Sequence, residues 1–278
     1  MRCTARGSER IRSMSVDPPS DGALDTAVAH YKTHGWARLG ILADDATLEP
    51  LRERADAIML GDVVYEGLFF QHDSDSGRYE DLPYGEGFVG PSLAYRKVEK
   101  LEKDPLYWAW IQNDVFRRVA LRVYPASDVA IYRAFLMNKH AGGGSDLPFH
   151  QDGGDFWGLD RDPVLQIWTA LDDAPEDGGC VEVVPGSHAL GLATRNGGVV
   201  PKNHVLAADA ETRAIKLPAR AGEVLLIHNY VWHRSGRTQT GRPRRALSVC
   251  YMEGATKCRR KKRAPRNFVR VFAANDPA

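Results

Sequence analysis

The sequence has few cysteines, no long hydrophobic run and almost no net charge. Its 4 cysteines form no CxxC pair and no zinc-like spacing, so we predict free thiols in a reducing, cytoplasmic compartment. No apolar run approaches the roughly 18 residues that a membrane-spanning helix needs. The formal net charge is +1, from 37 basic and 36 acidic residues, which gives no reason to expect a nucleic-acid or membrane partner.

The length and the hydrophobic content suit a full-sized core. With 278 residues and 43% hydrophobic content, we expect a single domain over 21–278, in a monomer or a homodimer. Residues 1–20 are rich in Arg and Ser and lack an apolar signal core, so we expect a disordered tail there. Met14 is a candidate natural start, and a transit peptide is the alternative interpretation of the tail.

The N-terminal part has helical patterns around one long irregular stretch. Periodicity predicts helices over about Ala23–His34, over Thr47–Leu60 and over about Asp104–Val123, and it predicts a strand at "WARLGIL". Residues 62–93 hold five glycines, several aromatic residues and a cluster of acids. A loop of this length in a compact domain is usually functional or disordered.

From Asp128 onward, short apolar runs alternate with turn signals. The runs include "VAIYRAFLM", "VLQIWTAL", "EVLLIHNYVW" and "ALSVCYM", and the spacers include "AGGGSD" and "DDAPEDGG". Short strands spaced in this way are typical of a β-sandwich or barrel. The helices precede the strands instead of alternating with them, so we predict a mainly β fold with its core at about 128–252.

The stretch "PFHQDGGDFW" places a histidine and a carboxylate two residues apart. In a strand, residues i and i+2 point to the same face, so His150 and Asp152 would project together. They would supply two of the three ligands of a facial non-haem iron site, whose third ligand is a second histidine. A bare His-x-Asp match arises readily by chance, however, and a polar strand end at a turn is the alternative.

A second stretch, "GEVLLIHNYVWHRSGRTQTGRPRRALSVCYM", offers two histidines, a turn and then a pair of arginines that enter a strand. A metal that binds a dicarboxylate co-substrate needs open coordination positions, which a facial three-ligand site leaves. It also needs a fixed cation for the far carboxylate. An arginine supplies that cation bidentately and stays charged.

Together these motifs resemble the phytanoyl-CoA dioxygenase family of iron(II)- and 2-oxoglutarate-dependent oxygenases. The resemblance runs from about Ala23 to Met252, and it is densest in "FHQDGGDFWGLDRDPVLQIWTALDDAPEDGGCVEVVPGSH" and in "GEVLLIHNYVWHRSG" with "RPRRALS". It implies a double-stranded β-helix core (a jelly roll, cupin-like) with flanking N-terminal α-helices. It also implies Fe(II) as the metal, with 2-oxoglutarate and O2 as co-substrates.

The resemblance implies His150, Asp152 and His233 as the iron ligands and thus as the catalytic centre. His233 is preferred to His228 because the family's distal histidine precedes a Ser-Gly pattern, and "HRSG" begins at His233. In a continuous strand His228 would face the other side, which suits a core role.

The resemblance also implies Arg244 as the anchor of the distal carboxylate of 2-oxoglutarate. Its neighbour Arg245, with opposite facing, is the alternative. Four further residues match family positions beside the co-substrate: Gln151, Trp168, Ser235 and Lys97. For Lys97, in "YRKVEK", a solvated helix end is the alternative interpretation.

The substrate is less constrained. The acidic loop "HDSDSGRYEDLPYGEG" suits a cationic or polyhydroxylated substrate, whereas the basic run "CRRKKRAPR" suits CoA phosphates, and each is otherwise a solvated charged segment. Our hypothesis is hydroxylation or oxidative cyclisation of a small polar natural product, amine-bearing or sugar-like such as an aminoglycoside, in bacterial secondary metabolism and antibiotic biosynthesis. The alternative within the family is an acyl-CoA 2-hydroxylase. Candidate substrate contacts are His72, Tyr79, Glu80, Asp81 and Tyr84.

Three other classes of protein compete with this interpretation. A cupin-type metal enzyme would need no 2-oxoglutarate, and Arg244 in register after His233 argues against it. A binding protein that had lost the chemistry would lack a ligand, yet all three candidate ligands are present. In a carbohydrate-binding sandwich the His-x-Asp pair would be coincidental.

Overall fold

The computed structural model describes residues 16–261 and 265–275. The tail predicted over residues 1–20 therefore lies mostly outside the described residues, as do Met14 and part of the basic run "CRRKKRAPR". Ser20 already belongs to the ordered fold, because its side chain accepts a hydrogen bond from the backbone N–H of Ala23 and caps the first helix.

In the described residues the four longer helices precede most of the strands, and two short helices follow in the second half of the chain. The helices are α1 (Asp21–His34), α2 (Asp45–Leu60), α3 (Pro105–Ile111), α4 (Asp114–Val123), α5 (Lys202–Ala207) and α6 (Ala210–Arg213). The strands are β1 (Trp36–Ile41), β2 (Phe69–His72), β3 (Tyr95–Glu99), β4 (Val129–Lys139), β5 (Leu147–Gln151), β6 (Leu165–Ala170), β7 (Val181–Val183), β8 (Gly198–Val199), β9 (Ile215–Leu217), β10 (Glu223–His228), β11 (His233–Ser235), β12 (Arg244–Glu253) and β13 (Val269–Phe272). Among the described residues, no helix is both long and apolar enough to cross a bilayer.

Local sequence explains where the N-terminal helices begin and end. After the Ser20 cap, α1 ends at Gly35, whose φ of 82° is accessible to glycine at little cost. The helix predicted over about Asp104–Val123 is instead two helices. The Asn113 side chain accepts a hydrogen bond from the backbone N–H of Val115 and so starts α4 as a separate element.

Two antiparallel sheets make up the β part. The larger has the order β1-β10-β6-β12-β4-β3-β2, with β13 also pairing with β4, and the smaller has the order β8-β5-β11-β7-β9. The prediction of a mainly β fold with N-terminal helices is confirmed. Strands β1, β2 and β3 before the predicted core of 128–252, and β13 after it, also join the larger sheet. The sheets do not close into a barrel.

The larger sheet has two different faces because side chains alternate along its strands. Leu247 and Val249 of β12 belong to the main apolar core, which also contains residues of α1–α4 such as Leu24 and Phe116. Ala246, from the opposite face of β12, packs in a second cluster with residues of the smaller sheet. The helices thus cover one face, and the other face is left to form the site.

We predict that Asp104 is a stability determinant of the helical layer. Its fully buried carboxylate accepts hydrogen bonds from the backbone N–H groups of Leu106 and Tyr107, and it pairs with Arg54 at 2.7 Å. Asp104→Ala removes a helix cap and leaves this arginine unpaired, which should lower the free energy of unfolding by about 3 kcal/mol in urea titrations.

Asp114→Ala is the matched control for Asp104→Ala. Asp114 is mostly exposed, and its one ion pair among the described residues is with Arg117, three residues along the same helix, so its loss should cost about 0.5 kcal/mol. Equal losses of stability in the two variants would contradict the role given to Asp104.

Candidate active site

Three predicted ligands meet between the sheets. His150 lies on β5, Asp152 directly follows that strand, and His233 is directly opposite His150 on the neighbouring strand β11. One nitrogen of each histidine and one oxygen of Asp152 all lie within 4.8 Å of one another. The residues are partly buried, and the two imidazole rings are 4.0 Å apart. This is the donor set of a facial non-haem iron site.

Backbone carbonyl groups orient both imidazoles. Nδ1 of His150 is 3.0 Å from the carbonyl oxygen of Pro148, and Nδ1 of His233 is 2.8 Å from that of Val231. A carbonyl can only accept, so each Nδ1 carries the proton and each Nε2 keeps its lone pair for a metal. Burial, together with the neighbouring His233, lowers the pKa of His150 to about 3, which keeps its ring neutral as a metal ligand must be.

Side-chain donors surround the carboxylate of Asp152. Its Oδ2 accepts from Nε2 of Gln166 at 2.5 Å, and its Oδ1 lies 3.3 Å from Nη2 of Arg133. Burial raises the pKa of Asp152, but Arg133, the two histidines and Gln166 outweigh it and lower the pKa to about 2. The group is therefore a carboxylate, ready to bind a cation.

A cavity of about 850 Å³ extends from these ligands to Arg244. Arg244 is only 2% exposed, and no acidic group pairs with it among the described residues. Its Nη2 donates to the carbonyl oxygen of Gly179, while its Nε is buried without a partner. Burial lowers the pKa of Arg244 to about 10. A buried guanidinium without a counter-charge is costly, so this end of the cavity is built for an anion.

The neighbouring Arg245 has the opposite environment. It faces away from the cavity, and its Nε and Nη1 each lie 2.8 Å from a carboxylate oxygen, of Asp172 and Asp56 respectively. These two acids satisfy its charge. Of the two arginines considered from the sequence, only Arg244 is available to a dicarboxylate.

The other residues expected beside the co-substrate all line the cavity, but they differ in whether their polar groups are already hydrogen-bonded. Trp168 is 2% exposed, and the buried Ser235 Oγ has no hydrogen-bond partner within the described part of the chain. Gln151 uses its whole amide on backbone groups: it donates to Gly191 and Tyr230 and accepts from Ala193. That pattern gives Gln151 the role of holding the adjoining loops. Ser235 and Arg244 line the same cavity, so the Ser235 hydroxyl would be a further donor to an anion bound there.

Lys97 is not at a helix end. It lies on β3 and pairs with Glu99, and its Nζ is 5.1 Å from the centre of the Phe135 ring. Burial lowers the pKa of Lys97 despite this partner. Lys97 therefore belongs to the cavity wall, in a pair that is largely shielded from water.

The predicted loop over residues 62–93 contains the strand β2 and a single 3-10 turn, Tyr79–Asp81. Of the five substrate-contact candidates, Tyr79, Glu80 and Tyr84 line the cavity. The other two do not. The His72 ring packs on Tyr95 at 4.0 Å, and Asp81 accepts a hydrogen bond from Ser76. Only some of the acidic side chains of this loop therefore line the cavity.

His228 lies away from the metal ligands. It ends β10 in the larger sheet, whereas His233 begins β11 in the smaller sheet, so the continuous strand considered from the sequence does not form. The His228 ring contacts Tyr31 and His188, and its Nδ1 accepts from the backbone N–H of Tyr230. Burial, helped by His188, lowers the pKa of His228 to about 3. His228 is a neutral core residue that ties α1 to the sheet.

Sequence reasoning missed three polar residues: Arg133 and Gln166, which contact Asp152, and Ser248, which contacts Gln166. Each lies within a strand of the larger sheet, and each lines the cavity. A signal existed for two of them. Arg133 interrupts the apolar run "VAIYRAFLM". Gln166 is two residues before Trp168, so in a strand it points to the same face. A polar residue buried in this way needs a hydrogen-bond partner.

Comparison with known proteins agrees with this geometry. The family model described as phytanoyl-CoA dioxygenase (PhyH) matches residues 31–246, which is more than half of the chain. The chain belongs to the phytanoyl-CoA dioxygenase family of iron(II)- and 2-oxoglutarate-dependent oxygenases. The match includes all three candidate ligands and Arg244.

Two relatives show the extent of the sequence similarity. Mouse phytanoyl-CoA dioxygenase domain-containing protein 1 is 31% identical over 182 residues, which are 62% of this chain and 62% of the relative. Human peroxisomal phytanoyl-CoA dioxygenase is 24% identical over 235 residues, which are 81% of this chain and 67% of the relative. The chain thus spans somewhat less than two thirds of the mouse protein.

Two solved structures share the fold. The epimerase SnoN, in complex with Fe3+, alpha ketoglutarate and nogalamycin RO, superposes with a TM-score of 0.67 at 17% identity, covering 91% of this chain and 96% of SnoN. EctD from S. alaskensis, with 2-oxoglutarate and 5-hydroxyectoine, gives a TM-score of 0.68 at 16% identity, covering 98% of this chain and 88% of EctD. These similarities confirm the cupin-like architecture.

We expect the replacement of each candidate distal histidine by alanine to have a different effect on metal binding. His233→Ala should reduce iron(II) binding, measured anaerobically by equilibrium dialysis, by about a hundredfold or more, because two ligands remain. His228→Ala should lower thermal stability but retain stoichiometric iron, since this ring has no ligand role. Loss of iron in the His228 variant, with iron kept in the His233 variant, would reverse the assignment.

Proposed function

We propose that this protein is an iron(II)- and 2-oxoglutarate-dependent oxygenase that oxidises a small polar molecule. The proposal rests on two features of one cavity: the His150–Asp152–His233 cluster, and the buried guanidinium of Arg244, which has no acidic partner among the described residues. A cupin that needs no 2-oxoglutarate would have no use for such an arginine. The residues present therefore fit both the metal and its dicarboxylate co-substrate.

Bound iron(II) would supply the oxidation of a substrate C–H bond by O2, coupled to the conversion of 2-oxoglutarate into succinate and carbon dioxide. The chain's own residues bind and orient. His150, Asp152 and His233 would hold the metal from one side and leave positions open for the co-substrate and oxygen. Arg244 would grip the far carboxylate bidentately, with Ser235 as a further donor. Trp168 would wall the co-substrate from water.

The substrate we propose is a small polar natural product, amine-bearing or sugar-like, modified by hydroxylation or oxidative cyclisation in bacterial secondary metabolism. Glu80 lines the cavity and, within the described chain, has only a long contact with Arg78, at 3.7 Å, so its carboxylate supports a cationic or hydroxylated ligand, whereas Asp155 is already paired with Arg195. Phe156 and Tyr84 also line the cavity and are 80% and 87% exposed, so they offer flat apolar surfaces to a ring. A cavity of about 850 Å³ has room for such a molecule.

The first test of the function is an anaerobic titration with iron(II) and 2-oxoglutarate, monitored through the weak visible charge-transfer band of the chelated co-substrate. The wild type should show the band. Arg244→Ala should weaken 2-oxoglutarate binding by about thirtyfold or more, because it removes a buried charge partner. Arg245→Ala, the adjacent control, should destabilise the fold but keep the affinity.

Two outcomes of this titration would count against the proposal. Iron-loaded wild type without the band would reject 2-oxoglutarate as co-substrate and favour a cupin-type metal enzyme. A band that weakens in the Arg245 variant and survives in the Arg244 variant would move the anchor to the other arginine.

Glu80 and its neighbour Asp81 test the substrate class. With an amine-bearing substrate, found by screening aminoglycosides and amino acids for succinate release, Glu80→Gln should raise KM about tenfold, since a charged hydrogen bond is lost. The KM for 2-oxoglutarate should not change. Asp81→Asn, in the same 3-10 turn but off the cavity, should leave both constants unchanged. Turnover with acyl-CoAs alone would instead favour the 2-hydroxylase alternative.

A further inference from the structure

The two oxygens of the Asp152 carboxylate face different partners. Oδ2 is 3.9 Å from Nε2 of His233, on the side of the metal ligands, and accepts the hydrogen bond from Gln166. Oδ1 is turned to Arg133 instead, whose Nη2 lies 3.3 Å away. Oδ2 therefore lies beside the other metal ligands, and Oδ1 is engaged by Arg133.

Arg133 is itself fixed on several sides. Its Nη1 lies 3.3 Å from Oε1 of Glu99, and the same oxygen pairs with Nζ of Lys97. The guanidinium lies 4.6 Å from the centre of the Trp157 ring and 4.7 Å from that of Phe135. Arg133 is only 15% exposed at its side chain, so it cannot readily follow the carboxylate if Asp152 rotates.

The second donor is also held in one orientation. The Oε1 of Gln166 accepts a hydrogen bond from Oγ of Ser248 at 3.0 Å. The ionised carboxylate of Asp152 can only accept, so the amide NH2 of Gln166 must point at it, and this leaves Oε1 to accept from the Ser248 hydroxyl. The Nε2 of Gln166 is thereby directed at Oδ2. The carboxylate is clamped between a neutral donor on one oxygen and a cation on the other.

A carboxylate can bind a metal through one oxygen or through both. A facial three-ligand site leaves three positions, of which 2-oxoglutarate needs two and oxygen needs one. If both oxygens of Asp152 bound, one position would be lost. We propose that Arg133 is a positioning residue that holds Oδ1 away from the metal and so preserves the chelating positions of the co-substrate. This inference rests on the proposed function.

The test compares metal affinity with co-substrate affinity in Arg133→Met, which keeps most of the side-chain volume but removes the charge and the donors. Under anaerobic conditions, the Kd of 2-oxoglutarate for iron-loaded protein, from the charge-transfer band, should rise about tenfold or more. The Kd of iron(II) alone should stay the same or fall, because a released carboxylate gains an oxygen contact and the metal loses a nearby positive charge.

Arg133→Lys is the conservative variant, and it also covers the case in which Arg133→Met fails to fold. A lysine keeps the charge but cannot bridge Glu99 and Asp152 with two nitrogens, so it should restore part of the 2-oxoglutarate affinity. Arg266→Met is the matched control. Arg266 stacks on Tyr132 at 4.5 Å but has no contact with Asp152 among the described residues, so neither Kd should move.

The outcomes separate cleanly. A higher Kd for 2-oxoglutarate, with iron(II) binding intact, supports the proposal. An unchanged Kd for 2-oxoglutarate overturns it, and so does an equal weakening of both affinities, which would give Arg133 only a structural role. Absence of the band in iron-loaded wild type is a different result, because it rejects the proposed function and not this inference alone.

Discussion

The pairing of β5 with β11 is the contact on which the site depends. It sets His150 directly opposite His233 across two neighbouring strands. Because side chains alternate along a strand, a slip of one residue would turn one histidine away from the other. The register is supported on both sides, since β5 also pairs with β8 and β11 also pairs with β7. The smaller sheet therefore acts as the frame that fixes the metal ligands, although it contains few residues.

The larger sheet contributes a second constraint, which is uncompensated positive charge. Arg244 on β12 and Lys139, its partner in register on β4, are both buried. Lys139 donates to the carbonyl oxygen of Ser145, and burial, strengthened by Arg244, lowers its pKa well below the usual value. Burying cations costs free energy unless an anion offsets the cost. The charged form of Lys139 is thus disfavoured beside Arg244, and a dicarboxylate bound at Arg244 would supply the anion that offsets the buried guanidinium.

Much of this arrangement could be predicted from the sequence because the informative residues are local. His150 and Asp152 are two positions apart in an extended run, so the alternation of a strand alone places them together. The role of Gln151 could not be predicted in that way. Its amide is satisfied by Gly191, Ala193 and Tyr230, which are distant in the chain and reach it only through the fold. Likewise, "YRKVEK" alone does not show that Lys97 lies on a strand. The strand β3 is short, and it is held in the sheet by pairing with β2 and β4.

The same reasoning explains why Arg133 escaped notice although its sequence carried a signal. An arginine within an apolar strand must have a partner, but the sequence does not say which acid provides it. Glu99 comes from the strand β3, and Asp152 comes from the loop after β5 in the other sheet, so the partners converge only when both sheets pack. A charge that bridges two sheets connects their relative position to the geometry of a metal ligand. The carboxylate orientation is then a property of the packed fold, and a change remote from the ligands along the chain can alter the coordination positions that remain.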